Sequence, residues 1–235
     1  MRRGGMTTDR LVVEATHHFP DYRIARDRAR TTATPSRRRG GTTRRPDRSQ
    51  HEVEVHMPPR FTSLTLDEFA DLLQRFDFTR RIDAVHMHHT WRPNHAQYRG
   101  ESTIEAMWRF HTRENGWRDI AQHVSIGPDG SIWTGRDWNL PPASAAGFNG
   151  NAMAGPFMFE TIGDFDRGKD RLEGAQLAAV VGVIARVQER FGVGPDSLRF
   201  HRAMTNLKSC PGTGVDFDAV KAAVESTRAE LRGGA

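Results

Sequence analysis

Hydrophobic positions in this chain switch between strand-like and helix-like spacing along most of its length after about residue 62. Apolar runs at 82–88, 155–165 and 198–200 predict buried strands. The stretch 122–133 predicts a β-hairpin, because two apolar runs flank the turn sequence Pro128-Asp129-Gly130. The chain therefore contains several strands that are separated by other elements.

Four segments show the helical spacing of apolar residues. The first begins after Thr65, which forms the sequence pattern of a capping box with Glu68 three residues later. The other three extend over 103–113, 175–191 and 216–231. Since helices and strands alternate, we predict an α/β fold with a central mixed β-sheet flanked by helices.

Charge is unevenly distributed. Residues 1–50 contain 13 Arg and 5 Asp or Glu, a net charge of +8, whereas the whole chain carries +5, so the remainder sums to −3. This segment has too few apolar residues to offset the entropy of ordering it. We predict a disordered Arg-rich tail over 1–56 and one folded domain over 57–235. The tail is either a solvated extension or an electrostatic arm for nucleic acid or anionic wall polymers.

Composition also restricts the location of the protein. The single cysteine excludes an internal disulfide. No apolar run approaches the roughly 18 residues of a membrane-spanning helix. The basic N-terminus lacks the apolar core of a secretory signal, so we expect the protein to be cytoplasmic as synthesised. We also expect it to be a monomer. Action outside the cell would then require lysis, a holin or a partner.

The single cysteine, Cys210, lies in a segment of chemically active residues. His201 precedes it by nine positions and Lys208 by two. A lone thiol is either a small core residue or a functional group, and thiolate and imidazole are preferred ligands of zinc. A catalytic zinc takes three protein ligands, and His88, at the end of a predicted strand, is the candidate third ligand. His86 shares the face of His88 on that strand, and His89 takes the other face.

Glu160 is a second unusual residue, because it interrupts an apolar strand in which an unpaired carboxylate is costly to bury. It is either the partner of a structural arginine or a general base beside a metal. Lys208 is either a solvated surface residue or an ammonium that stabilises developing negative charge.

Four segments, in this order, resemble the type 2 N-acetylmuramoyl-L-alanine amidases, a group that includes phage amidases and peptidoglycan recognition proteins. They are V-H-M-H-H-T-W at 85–91, the hairpin from G-W-R-D-I to G-R at 116–136, F-M-F-E-T-I-G-D-F at 157–165, and F-H-R with K-S-C-P-G in 200–212. The resemblance implies the fold of that family and Zn²⁺ held by His88, His201 and Cys210. It also implies that Glu160 and Lys208 are catalytic residues.

The activity that the resemblance implies is hydrolysis of the amide bond between N-acetylmuramic acid and L-alanine, in peptidoglycan or a muropeptide. The candidate substrate contacts, each of which could equally be a core or turn residue, are Trp91, Trp117, Gln122 and Asn149. The chain departs from the family pattern at three places. Gln122 replaces a tyrosine of some members, Phe148 stands where a substrate-side histidine is expected, and the interval from His201 to Cys210 is one residue longer.

Two other functions fit the sequence. The first is a peptidoglycan-binding module that senses the wall without cutting it, for which Gln122 and Phe148 are the supporting features. The second is a nucleic-acid-binding protein that acts weakly through the Arg-rich tail.

Overall fold

A six-stranded mixed sheet forms the centre of the folded domain in a computed structural model that describes residues 61–143, 145–205 and 208–234. The tail predicted for 1–56 lies outside the described residues. The strands are β1 (Ser63–Leu64), β2 (Arg81–His89), β3 (Val124–Ile126), β4 (Ile132–Thr134), β5 (Ala154–Thr161) and β6 (Leu198–Phe200). Their order across the sheet is β1-β4-β3-β5-β2-β6.

Strand directions make this a mixed sheet, as predicted. The long strand β2 is parallel to β5 on one side and to β6 on the other, and β5 is parallel to β3. The predicted hairpin is formed by the antiparallel pair β3 and β4, and β1 extends the sheet at the edge of β4. The hairpin strand begins at Val124 rather than at Gln122, because the imidazole of His123 accepts the N–H of Met158 (3.0 Å) in place of a strand carbonyl.

Within the described ranges, four α-helices accompany the sheet: α1 (Leu66–Arg75), α2 (Glu101–Arg109), α3 (Gly174–Phe191) and α4 (Phe217–Gly233). The capping box predicted for α1 is present, with Thr65 and Glu68 exchanging both of its hydrogen bonds. None of the helices in the described parts of the chain is long and apolar enough to cross a bilayer.

Two further predicted element ends were wrong. The α-helix predicted to reach Arg113 ends at Arg109 and continues as one π-helical turn over Phe110–Glu114. The Thr112 hydroxyl donates to the Trp108 carbonyl (2.9 Å) in this turn, a side-chain bond that competes with the regular helical pattern. Strand β5 ends at Thr161 instead of residue 165, because the chain turns at Gly163, where φ is +155°.

The two faces of the sheet have different roles. Val85 and Phe157 point to the face that packs against α1, α3 and α4, where the main hydrophobic core lies. Since side chains alternate along a strand, His88 and Glu160 point to the opposite face. That face therefore carries the candidate chemistry, and the packed core beneath it supports the strands.

Candidate metal centre and active site

The register of three neighbouring strands places the candidate catalytic residues in one row across the sheet. Glu160 on β5 pairs with His88 on β2 and, on its other side, with Ser125 on β3. Adjacent strands lie about 4.8 Å apart, so these three side chains leave the same face within roughly 10 Å of one another. His201 is the first residue after β6, one position beyond the pairing of Phe200 with Met87, and it extends the row past His88.

The three predicted metal ligands come together at one end of this row. One ligand atom from each of His88, His201 and Cys210 lies within 4.8 Å of the others, and all three residues are buried. The Nδ1 atom of His88 is 3.7 Å from the Cys210 Sγ, and the two imidazole rings have centroids 4.4 Å apart. Two ligands of a tetrahedral zinc are separated by roughly 3.6 Å when one is nitrogen and one is sulfur. The donor types and spacing therefore fit a zinc-sized ion.

The charge states of the ligands also suit a metal. Burial lowers the pKa of His88 well below its usual value, with His201 as a further cause. Burial and the nearby Lys208 lower the pKa of His201 to about 4. Both imidazoles are therefore neutral near pH 7, which is the form that binds a metal ion.

Cys210 is the candidate ligand that would have to lose a proton to bind a metal ion. Burial raises its pKa to about 12, so the metal-free residue is a thiol. The backbone N–H of His89 donates to its Sγ (3.3 Å) and favours the thiolate. We therefore expect metal binding to release a proton and to weaken at low pH.

Hydrogen bonds from Arg202 hold the loop that returns Cys210 to the site. Its backbone N–H donates to the Cys210 carbonyl (2.7 Å), and its guanidinium donates to the carbonyls of Gly212 (2.7 Å) and Val215 (2.8 Å). Gly212 has φ +114°, and a Cβ atom there would lie 2.5 Å from the Phe165 carbonyl. No larger residue fits this close approach, which explains the Pro-Gly turn after the cysteine.

Glu160 lies beside the ligand cluster in an environment that favours its neutral form. Burial raises its pKa to about 7, and the positive charge of Lys208 opposes this increase. The residue is partly buried, whereas Lys208 is exposed at the surface of the site. A carboxyl group with a pKa near 7 can both accept and return a proton at neutral pH.

The other two histidines of the strand lie outside the ligand cluster. His86 is buried on the same face of the strand as His88, two residues before it. Its Nδ1 atom has no hydrogen-bond partner in the described structure. His89 points to the opposite face, where its Nδ1 atom accepts the N–H of Phe165 (3.3 Å). The choice of His88 as the ligand from this strand agrees with the geometry of the cluster.

The four candidate substrate contacts fall at different places. Trp91 is exposed just beyond the end of β2. Trp117 is partly buried, and its ring contacts that of His111 in a tilted arrangement with centroids 4.9 Å apart. The Asn149 carbonyl accepts from Arg80 (3.5 Å) near the first residues of β5, so any ligand contact there would be roughly 15 Å from Glu160 along the strand.

Gln122 is completely buried and is therefore not exposed to a ligand in this conformation. Its Nε2 atom donates to the Ser125 hydroxyl (2.8 Å), and its Oε1 atom has no hydrogen-bond partner in the described structure. Ser125, which the sequence reasoning missed, is fully buried next to Glu160. A polar residue between Val124 and Ile126 in a predicted strand was the available signal.

Comparisons with known proteins agree with this arrangement. The family model for N-acetylmuramoyl-L-alanine amidase (Amidase_2) matches residues 78–213. Peptidoglycan-recognition protein SC2 of Drosophila melanogaster is 25% identical over 112 residues, which are 48% of this chain and 58% of that protein. Peptidoglycan-recognition protein LB of the same species is 34% identical over 97 residues, 36% of this chain and 42% of that protein. The chain thus spans less than two thirds of the length of these relatives.

Solved structures share the fold. Drosophila PGRP-LB superposes with a TM-score of 0.51 and 28% identity, covering 63% of this chain and 84% of that one. The N-acetylmuramoyl-L-alanine amidase LysC from Clostridium intestinale has a TM-score of 0.51 and 22% identity, covering 63% and 89%. The family match includes more than half of the chain and all three clustered ligands. The protein therefore belongs to the N-acetylmuramoyl-L-alanine amidase family.

Proposed function

We propose that the protein is a zinc-dependent hydrolase that cleaves the amide bond between N-acetylmuramic acid and L-alanine in peptidoglycan. The observation that carries this proposal is the buried His88, His201 and Cys210 cluster, with Glu160 next to His88 in the same cross-strand row. A ligand set of two imidazoles and one thiol leaves a fourth tetrahedral position open, as in catalytic zinc sites. When bound there, Zn²⁺ would acidify a water molecule and polarise a carbonyl oxygen.

Glu160 is the proposed general base and acid. Its carboxylate takes one proton from the attacking water while the water oxygen bonds to the lactyl carbonyl carbon. The same carboxyl group then gives that proton to the alanine nitrogen as the carbon–nitrogen bond breaks. The products are the carboxylic acid of the muramic acid, which keeps the second water proton until it ionises, and a peptide with a free amine. A pKa of about 7 suits both transfers, since the group must change protonation state twice in each turnover.

Lys208 is the proposed electrostatic partner of the carbonyl oxygen. Its positive charge is close enough to depress the pKa values of both Glu160 and His201. A fixed ammonium near the reacting carbonyl stabilises the negative charge that develops on oxygen in the transition state. Because Lys208 is exposed, substrate must exclude water from it for the effect to reach its full size.

Peptidoglycan or a muropeptide is the proposed substrate. Relatives of the chain are named peptidoglycan-recognition proteins, and one solved structure contains PGRP-LB in complex with tracheal cytotoxin. Those names describe the relatives. For this chain, we base the proposal of a related substrate on the chemistry of its own site. We expect no contribution from nucleic acid beyond weak attraction to the Arg-rich tail.

The alternative is a module that binds peptidoglycan without cutting it. The observation that favours it is the glutamine at position 122, which provides no phenolic donor where some family members carry a tyrosine. Purified, zinc-loaded protein should be incubated with sacculi, and the soluble products analysed by mass spectrometry. Free stem peptides with an alanine N-terminus would support the amidase, whereas sedimentation of the protein with intact sacculi would support the binding module.

A further inference from the structure

The loop over 209–215, here called the cysteine loop because it carries Cys210, is tied by hydrogen bonds to the turn after β5. Asp166 lies in this turn. Its carboxylate accepts from the Ser209 hydroxyl through Oδ2 (3.2 Å) and from the Thr213 N–H through Oδ1 (2.8 Å). Ser209 immediately precedes Cys210, and Thr213 follows it by three positions. One carboxylate therefore contacts the loop on both sides of the candidate ligand.

The turn that carries Asp166 is itself fixed to the sheet. Phe165 is fully buried, and its N–H donates to the Nδ1 atom of His89 on β2 (3.3 Å). The Phe165 carbonyl accepts the N–H of Gly214 in the cysteine loop (2.8 Å). Asp166 thus projects from a segment that is bonded both to a central strand and to the cysteine loop, so its carboxylate is a fixed point for that loop.

The charge of Asp166 strengthens its two contacts. Burial opposes ionisation, but hydrogen bonds from Thr213 and Ser209 outweigh burial and lower the pKa of Asp166 below its usual value. The carboxylate is therefore ionised at neutral pH, and hydrogen bonds to an ionised acceptor are stronger than those between neutral groups. The cysteine loop is held by two charge-assisted bonds in addition to its backbone contacts.

We propose that Asp166 is a positioning residue that holds Cys210 and Lys208 in place at the metal centre. The inference rests on the proposed amidase function, because a fixed Lys208 matters only if the site performs chemistry. Ser209 lies between these two residues, so its bond to Asp166 fixes the backbone from which both side chains extend. The Lys208 side chain is flexible and exposed, and its ammonium reaches a defined point only when that backbone is fixed.

The same contacts keep the thiol at a distance that suits a metal. The Cys210 Sγ lies 3.7 Å from the His88 Nδ1. Zinc tolerates little change in this separation, because its bonds to sulfur and nitrogen are about 2.3 and 2.0 Å long. Removing an outer partner that orients a metal ligand typically lowers metal affinity or activity by roughly 10–100-fold. Asp166 bonds the neighbours of Cys210 instead of the sulfur, so we expect an effect at the lower end of this range.

Two substitutions of Asp166 separate loss of its contacts from loss of its charge. Asp166→Ala removes both hydrogen bonds. Asp166→Asn keeps an oxygen that accepts the Thr213 N–H and gains an amide that donates to the Ser209 oxygen, so it should restore most of the function. Ser209→Ala removes one bond at a partly exposed position, and it carries the test if Asp166→Ala does not fold.

Asp170→Ala is the matched control. The Asp170 carboxylate belongs to the same turn and also accepts two backbone N–H groups, those of Asp164 (2.8 Å) and His95 (3.0 Å). Neither of these residues belongs to the cysteine loop. Asp170→Ala should therefore match the parent in zinc affinity and turnover, with melting temperature measured on every variant.

Zinc affinity, measured by competition with a chelator, is the readout that does not depend on activity. Asp166→Ala should weaken it by about tenfold, whereas Asp166→Asn and Ser209→Ala should weaken it by no more than about threefold. In Co²⁺-loaded protein, the thiolate-to-cobalt absorption band reports the contact between Cys210 and the metal. This band should weaken in Asp166→Ala and stay at the parent intensity in Asp170→Ala.

Turnover is measured with saturating zinc on a purified muropeptide that has an intact stem peptide. Asp166→Ala should lower kcat by about tenfold and change KM less than about twofold, because Lys208 stabilises charge in the transition state. In the Lys208→Ala background, Asp166→Ala should lower turnover by less than about twofold further, since residues that act as a unit are not additive.

Equal zinc affinity and equal turnover in Asp166→Ala and Asp170→Ala would overturn the positioning role. A tenfold loss of turnover that persists in the Lys208→Ala background would overturn the link between Asp166 and Lys208. A parent that binds zinc but cuts no muropeptide would overturn the amidase function, and zinc affinity with the cobalt band would then still decide whether Asp166 holds Cys210.

Discussion

Changing Glu160 to glutamine is expected to make the protein more stable and less active at the same time. Burial raises the pKa of Glu160 from 4.5 to about 7. Between these pH values the folded chain keeps a proton that the unfolded chain has released. The free energy of unfolding therefore falls as pH rises through this window, because stability declines wherever the folded state binds more protons. Glutamine has no such proton, so the variant lacks this decline.

The size of the effect follows from the pKa change. One pKa unit corresponds to about 1.4 kcal/mol, so the rise from 4.5 to about 7 limits the gain in unfolding free energy of the variant to roughly 3–4 kcal/mol at about pH 8. Glu160 is only partly buried, and solvent reduces this value. We expect metal-free Glu160→Gln to exceed the parent by about 1–2 kcal/mol at about pH 8 and to equal it near pH 4.5. A domain of this size shifts its melting temperature by about 2–4 °C per kcal/mol.

Urea unfolding in the presence of a chelator, at both pH values, measures this difference. Glu189→Gln is the matched control, for which we expect the opposite change in the free energy of unfolding. Hydrogen bonds from Arg232, followed by Arg228, lower the pKa of Glu189 to about 2. Its ionised form therefore stabilises the fold above its unfolded pKa, and its substitution should destabilise the protein at about pH 8.

Activity of the zinc-loaded variant is the second measurement. Glu160→Gln keeps the shape of the side chain but cannot accept a proton from water, so turnover should fall by roughly 10²–10⁴. Full turnover on sacculi would refute the role of Glu160 as the base. Stability equal to or below that of the parent at both pH values would refute the argument from its burial.

Three further predictions concern the metal, the electrostatic partner and the tail. Alanine at any one of the three clustered ligands should abolish binding of about one zinc per chain, whereas His86→Ala and His89→Ala should retain it, as measured by metal analysis. Loss of zinc in His86→Ala alone would refute the ligand assignment. Lys208→Ala should lower turnover by roughly 10²–10³ with zinc content unchanged, and unchanged turnover would remove it from the mechanism. Deleting residues 1–56 should leave melting temperature and activity unchanged, and a large drop in melting temperature would show that this segment packs on the domain.

Several features of the protein could be predicted from local sequence. Helix α1 was predictable because Thr65 and Glu68 carry the cap and apolar spacing marks the buried face. The three candidate metal ligands, which the structure brings together, could be selected from residue type, since imidazole and thiol groups are the preferred ligands of zinc and the chain has one cysteine. The end of α2 was not, because a π turn depends on local hydrogen bonds that compete closely with the α-helical pattern.

What the sequence by itself determined is therefore which elements form and which side chains are candidates for chemistry, because both depend on residue type and on residues close together in the chain. Only the tertiary structure decided which of these side chains meet. Strand register placed Ser125 beside Glu160, and packing buried Gln122 away from solvent. The same register and the loop after His201 brought Cys210 to His88, more than a hundred residues away. Such contacts depend on how strands align and how loops close. The free energies of both depend on interactions across the whole fold, so they cannot be read from any single segment.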